Sequence, residues 1–185
     1  MRTEKIEGCF VNLRIAEEAD ADFTLKARQN KEKNKYIPSI EVSIEQQKAW
    51  IRKQIDSEDC YFFVVERKNG EKIGTFSLYD IKEGSAESGR LVMLGTQIES
   101  LETGVLFNKF SFEIANVKKI ISDIDAGNNA AIGYASQLGG IQIGEYIDEK
   151  TKRKMLKYYT DEVCFNAASP RLEKIIEHFA GRSRH

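Results

Sequence analysis

Apolar and polar residues alternate with a two-residue period from Cys9 to Ile15, through Phe10, Val11 and Leu13, and this predicts a strand. Tyr61 to Glu66 is a strongly apolar run, and Lys72 to Ile81 returns from it. Between them Lys68-Asn69-Gly70-Glu71 centres on Asn-Gly, the strongest short-range hairpin signal. Glu83-Gly84-Ser85 turns the chain again into a strand from Glu87 to Leu94, completing an antiparallel meander. Lys119 to Ile124 reads as a short buried strand. Ile141 to Ile147 and Lys154 to Tyr159 read as a final pair around Asp148-Glu149-Lys150.

Other stretches carry helical signals. Glu17-Glu18-Ala19-Asp20 puts acids in a first turn, where the helix dipole favours them, ahead of Phe23, Leu25 and Ala27. Pro38 disfavours helix around Tyr36 and Ile37. Ser43 with Gln46 three residues later forms a capping box, and the helix it opens presents Trp50, Ile51 and Ile55 on one face. Leu101 to Asn116 and Asn129 to Leu138 follow, the second closed by Gly139. A last helix is expected from Arg171 to Phe179, after Pro170. The order β-α-α-β-β-β-α-β-α-β-β indicates an α+β fold with a mixed, mostly antiparallel sheet of about seven strands, about four helices and a C-terminal helical tail. No repeat or low-complexity linker divides residues 1–185, so a single domain is expected.

Composition narrows the functional classes. With 28 basic and 29 acidic residues the net charge is −1, which supplies no global field for nucleic acid or an anionic membrane. Cys9, Cys60 and Cys164 have no metal-ligand spacing, and with only His178 and His185 beside them no metal site is expected. No apolar run approaches the ~20 residues of a membrane span, and the start of the chain lacks the apolar core of a signal peptide. A cytoplasmic protein is expected. The lysine-rich 31–35 run and the 150–154 turn read most simply as solvated surface.

Two helix starts carry candidate chemistry. Gly95-Thr96-Gln97-Ile98-Glu99-Ser100 aims backbone N–H groups outward at a helix N-terminus, a natural phosphate site. One strand later, Asn128-Asn129-Ala130-Ala131 opens a second helix. This pairing resembles the acyl-CoA site of the GNAT N-acetyltransferases. Further matches are Leu13-Arg14 before an acidic helix start, Trp50-Ile51, Lys72-Ile73-Gly74-Thr75, Gly89-Arg90-Leu91-Val92, and Asn128-x-x-Ala131 before Leu138-Gly139. The resemblance covers roughly residues 10–160, leaving 161–185 as a tail. The variant with Gln47-x-x-Trp50-Ile51 and Ile73-Gly74-Thr75 is similar to acetyltransferases of amino-sugar and surface-polysaccharide pathways.

The resemblance implies acetyl-CoA as cosubstrate and a small-molecule amine as acceptor, favoured as an amino sugar or its nucleotide-linked form. A protein N-terminus or a polyamine is the alternative; an acidic acceptor cleft would favour a polyamine and an arginine-rich one a nucleotide sugar. Leu91, Val92 and Met93 are implied to offer edge backbone groups to pantetheine. Gln97, Ile98, Glu99, Ser100, Leu101, Glu102 and Thr103 fall on the pyrophosphate loop. There the family pattern Q/R-x-x-G-x-G/A is matched only at Gln97, with Ser100 and Glu102 in place of the small residues, so the contact is left to backbone N–H groups. Asn128 and Ala131 fall on the pantetheine arm, although Asn128 is equally a helix cap.

Glu87 is implied as the base that deprotonates the amine, often through water; by itself it reads also as a solvent-facing strand glutamate. The family's tyrosine acid falls on Ala135. Tyr134, about 100° round the helix, is the group left to supply that proton, unless the thiolate departs without one. Arg28, Asn30, Tyr36, Trp50, Tyr79 and Asp80 are implied on the acceptor side, where surface and packing roles are also open to each. A non-catalytic domain that binds CoA or a protein partner is the rival reading, supported by the altered loop and by Ala135. A monomer or a homodimer is compatible with the sequence.

Overall fold

The computed structural model describes residues 5–30, 35–37 and 40–182; residues 1–4, residues 31–34 of the lysine-rich run, Pro38 and His185 lie outside them. Among the described residues eight strands form one sheet: β1 (Lys5–Glu7), β2 (Val11–Ile15), β3 (Tyr61–Arg67), β4 (Lys72–Lys82), β5 (Ser85–Met93), β6 (Lys119–Asp125), β7 (Ile141–Ile147) and β8 (Lys154–Asp161). Their spatial order is β1-β2-β3-β4-β5-β6-β8-β7. Neighbours are antiparallel except β5 and β6, which are parallel. The helices are α1 (Ala21–Gln29), α2 (Ile44–Asp56), α3 (Gln97–Lys109), α4 (Asn129–Gln137) and α5 (Glu162–Arg182). A π-helical turn, Phe110–Ile114, continues α3.

The α+β mixed sheet is as the apolar pattern indicates, with three differences at element ends. Short β1 pairs with β2 and makes an eighth strand. α3 begins at Gln97 rather than Leu101, because the Thr96 side chain accepts from the Glu99 N–H and the Glu99 carboxylate accepts from the Thr96 N–H, a second capping box. α5 begins at Glu162 rather than Arg171, where Asp161 accepts from the Cys164 N–H at 2.8 Å, and it runs through Pro170.

Alternation along β3 assigns its side chains to two cores. Phe63 and Val65 pack with Leu13, Phe76, Phe107 and Phe110 under α3 and α5. Phe62 and Val64 pack with Ile51 and Ala16 under α1 and α2. Full burial of each such side chain contributes roughly 1.5–3 kcal/mol, so the sheet is clamped from both faces. At the β7 edge Ile141, Ile143 and Ile147 remain exposed.

Two buried carboxylates tie the elements together. Asp20, 1% exposed, accepts from Arg14 at 2.7 and 2.9 Å and pairs with Lys72 at 2.5 Å. Burial acts to raise its pKa, but the bonds from Arg14 and Lys72 outweigh it and hold the group down at about 2. A folded-state pKa below the unfolded value adds stability that is full above the unfolded pKa, near 4, and is lost as pH falls through about 2. We expect Asp20 to contribute roughly 2 kcal/mol at neutral pH. Urea midpoints measured between about pH 4 and pH 2 should therefore fall less steeply in Asp20→Asn than in the wild type.

The Glu102 side chain faces away from the outward first turn of α3. It points inward from α3, 3% exposed, and accepts from the N–H groups of Cys9, Phe10 and Val11 at 2.5, 2.7 and 2.8 Å. The carboxylate thus satisfies the start of β2. A Cβ at Gly8 would lie 2.6 Å from it, which is why that turn takes glycine.

Candidate active site

β5 and β6 pair over only three residues, the last being Glu87 opposite Ile121. Beyond that point the Ser88 and Ser122 hydroxyls still touch at 2.7 Å, and then the strands part. The cause lies on β5. Its register to β4 shifts between Ser77–Gly89 and Thr75–Val92, and the extra residue Arg90 has φ 54°. Such a bulge bends its strand, and the Arg90 carbonyl is fixed there by the Thr75 hydroxyl at 2.9 Å.

The wedge opened in this way is a cleft of about 330 Å³ between β5 and β6, floored by α3 and α4. Glu87, Leu91, Asn128, Ala131, Tyr134 and Tyr79 line it, together with Arg28 and Tyr36 from the α1–α2 side. Eight of the twenty sequence-derived candidates therefore converge on one space. The bond from the Leu94 N–H to the Ile73 carbonyl, 2.7 Å, fixes the phase of the β4–β5 ladder. In an antiparallel ladder the bonded pairs alternate, so Val92 turns its backbone to Thr75 on β4, while Leu91 and Met93 turn theirs to the cleft side.

At the α3 start the expected run of free loop donors is shorter. The Glu99 and Ser100 N–H groups go to the Thr96 hydroxyl and carbonyl, and Leu101, Glu102 and Thr103 lie within the helix. Gln97 and Ile98 remain as the outward first-turn donors. Glu99 also turns away, bonded to Arg67 at 2.6 and 3.2 Å. Those bonds, with the Thr96 contacts, hold its carboxyl down at about 2. Leu101 packs on the core and the Thr103 hydroxyl donates to the Glu99 carbonyl.

On α4 the Asn128 side chain accepts from the Ala131 N–H at 3.1 Å, so its capping role is filled. The Tyr134 hydroxyl donates to the Ser100 carbonyl at 3.0 Å, and burial raises its pKa. This approach needs Gly104, where a Cβ would come within 2.5 Å of the Tyr134 oxygen. Glu87 is exposed to the cleft and takes part in no ion pair among the described residues. Burial and the Glu87 charge push the neighbouring Tyr79 hydroxyl up to about 12. The deeper acids are neutralised: Asp123 by Lys157 at 3.0 Å and Asp125 by Arg153 at 3.3 Å.

Three acceptor-side candidates, Asp80, Asn30 and Trp50, lie apart from the cleft lining, as do Val92, Met93 and residues 97–103. Asp80 is exposed, with φ 52°, at a register shift of β4, and Asn30 caps the C-terminus of α1. Trp50 lines a second chamber of about 400 Å³ under α1 and α2. The residue that sequence reading missed is Arg90. It was legible only as part of a strand motif, yet its guanidinium lies 4.3 Å from the Tyr79 ring centre and 5.1 Å from that of Trp50, and donates to Gln54 at 2.8 Å. Among the described residues, no group of three or more His, Cys, Asp or Glu side chains is placed to hold a metal ion. Among the same residues, no helix is long and apolar enough to cross a membrane.

Among the described residues the mixed sheet parts at its one parallel pair, and the wedge so opened has the start of α4 on its wall. The family model of the acetyltransferase (GNAT) domain matches residues 11–141, well over half of the chain, and the chain belongs to that family of acyltransferases. Members of the family use acetyl-CoA. Among solved structures, apo FdhC, a nucleotide-linked sugar GNAT, is similar with a TM-score of 0.80 and 21% identity over 95% of this chain and 99% of its own. Spermidine N-acetyltransferase from Vibrio cholerae, in complex with CoA and spermine, is similar with a TM-score of 0.78 and 20% identity over 85% and 99%. A GNAT-family acetyltransferase from Bacillus anthracis reaches 0.73 at 16% identity over 85% and 98%. At these identities the likeness is one of fold. A search of the curated proteins gave no match.

Proposed function

We propose that the protein is an acetyl-CoA-dependent N-acetyltransferase acting on a primary amine, with an amino sugar or nucleotide-linked amino sugar as the favoured acceptor. The observation that carries this reading is the wedge between β5 and β6, where Glu87 faces the space that Leu91 and Met93 edge with backbone groups. When bound, acetyl-CoA supplies the activated acetyl group. The outward N–H groups of Gln97 and Ile98 would hold its diphosphate, and the backbone groups of Leu91 and Met93 would hydrogen-bond its amide arm. Asn128 and Ala131 line the opposite wall.

Glu87 removes a proton from the ammonium, directly or through one water, so that the amine gains a lone pair for attack. Backbone donors at the bulge stabilise the developing oxyanion. Tyr134 is the candidate proton donor to the thiolate; in that role its hydroxyl turns from the Ser100 carbonyl. We place the enzyme in the cytoplasm, as a monomer or a homodimer. The nucleotide-sugar GNAT and the spermidine acetyltransferase are nearly equal in fold similarity. Arg28 and Arg90 at the acceptor mouth oppose a polycation and favour the former.

Thiol release from acetyl-CoA, measured against a panel of amino-sugar nucleotides, free amino sugars and polyamines, tests the assignment. We expect turnover with the amino-sugar compounds and little with polyamines. Turnover confined to polyamines would replace the acceptor. Binding of acetyl-CoA with no turnover of any amine would favour the non-catalytic reading.

A further inference from the structure

The cleft and the chamber under α1 and α2 share two lining residues, Arg28 from α1 and Arg90 from the β5 bulge. Four arginines are matched with acids: Arg14 with Asp20 and Glu66, Arg52 with Glu18, Arg67 with Glu71 and Glu99, Arg153 with Asp125. Arg90 is held differently. Its partners are two aromatic rings, the Gln54 side-chain oxygen and the Cys60 sulfur at 3.7 Å, and it forms no ion pair among the described residues. These contacts orient the guanidinium without neutralising it. A like charge stands nearby, since burial and then the Arg90 charge both lower the Arg28 pKa.

Two cations at one mouth repel, and no acid is among the described residues that line the inner chamber. That chamber is walled by Val42, Trp50, Phe62 and Val92. Its polar corner is closed on itself, with the Gln47 amide donating to the Thr24 hydroxyl at 2.9 Å. It therefore suits a planar or apolar group attached to an anion, since an apolar pocket with a few convergent polar groups is the usual form of a small-molecule site. Planar guanidinium forks match phosphate oxygens two at a time.

We propose that Arg90, with Arg28, is the residue that selects the acceptor by charge: a phosphate-type anion sits between the two guanidiniums, the ring it carries enters the inner chamber, and the amine lies on the other side, at Glu87. The inference rests on the acetyltransferase reading and adds the orientation of the acceptor. A nucleoside diphosphate is the chemistry that fits both parts.

The test is calorimetric titration of UDP, uridine and pyrophosphate into protein saturated with CoA, so that the cosubstrate's own phosphate site is filled. UDP is expected to bind, and more tightly than uridine or pyrophosphate alone. Arg90→Gln and Arg28→Gln are each expected to weaken UDP roughly 10- to 100-fold, the effect of losing a charge-assisted hydrogen bond, with CoA binding unchanged. Arg90→Lys, which keeps the charge and loses the stacked plane, should fall between. Binding of CoA without UDP, or pyrophosphate bound as tightly as UDP, would overturn the proposal while leaving the acetyltransferase reading intact. Unaltered UDP affinity in both glutamine variants would also overturn it. Failure of the wild type to bind CoA would instead sink the function itself.

Discussion

Replacement of Glu87 by glutamine is expected to lower kcat by about 10²- to 10⁴-fold, the usual contribution of a positioned general base, while acetyl-CoA binding is unchanged. Glutamine keeps the size of the side chain and its place on β5, opposite Ile121 and Tyr79, but cannot take a proton. The loss should shrink as pH rises and the free amine becomes abundant without help. A structural glutamate on a strand edge would give neither the rate loss nor its pH dependence. The check is the pH profile of kcat for the two proteins side by side. A variant that retains wild-type kcat across the profile would move the base to another group.

The second large effect is on stability. Glu102→Ala removes one carboxylate and strands the N–H groups of Cys9, Phe10 and Val11 at a buried strand start. An unsatisfied buried donor costs about 1–3 kcal/mol. Water entering the vacated space would satisfy some of the three, so a total near 3 kcal/mol is expected. In a chain of this size that lowers Tm by roughly 6–12 °C. The affinity of the remaining folded protein for CoA should not change. The outcome separates two roles for this side chain: had it faced a diphosphate, alanine would tighten CoA and leave Tm nearly untouched.

These two glutamates show where the sequence informs and where it stops. The apolar run around Phe63, the Asn69-Gly70 turn and the Asn128 cap are local signals, and the α+β sheet follows from them. The Thr96–Glu99 capping box is also a local signal, and it starts α3 at Gln97. Pro170 read as a break, because only the packing of α5 reveals that the helix runs through it. Glu102 could not be read at all. Its partners lie more than ninety residues away in sequence, and nothing near position 102 signals them. Arg90 is the same case on the functional side. Its surroundings, Trp50, Gln54, Cys60 and Tyr79, come from α2, from the start of β3 and from β4. Only the folded sheet, bent by a residue in the left-handed region, puts them around one guanidinium.

The central claim is that the wedge between β5 and β6 is an acetyl-CoA site despite a first turn of α3 that keeps only Gln97 of the family pattern. Calorimetric titration of acetyl-CoA into the purified protein tests it most directly. The expected result is saturable binding of one molecule per chain, lost when a bulky side chain fills the wedge, as in Ala131→Trp. Absence of any binding at millimolar acetyl-CoA would contradict the account, and would mean that the capped helix start and the inward Glu102 mark a GNAT fold without its cosubstrate.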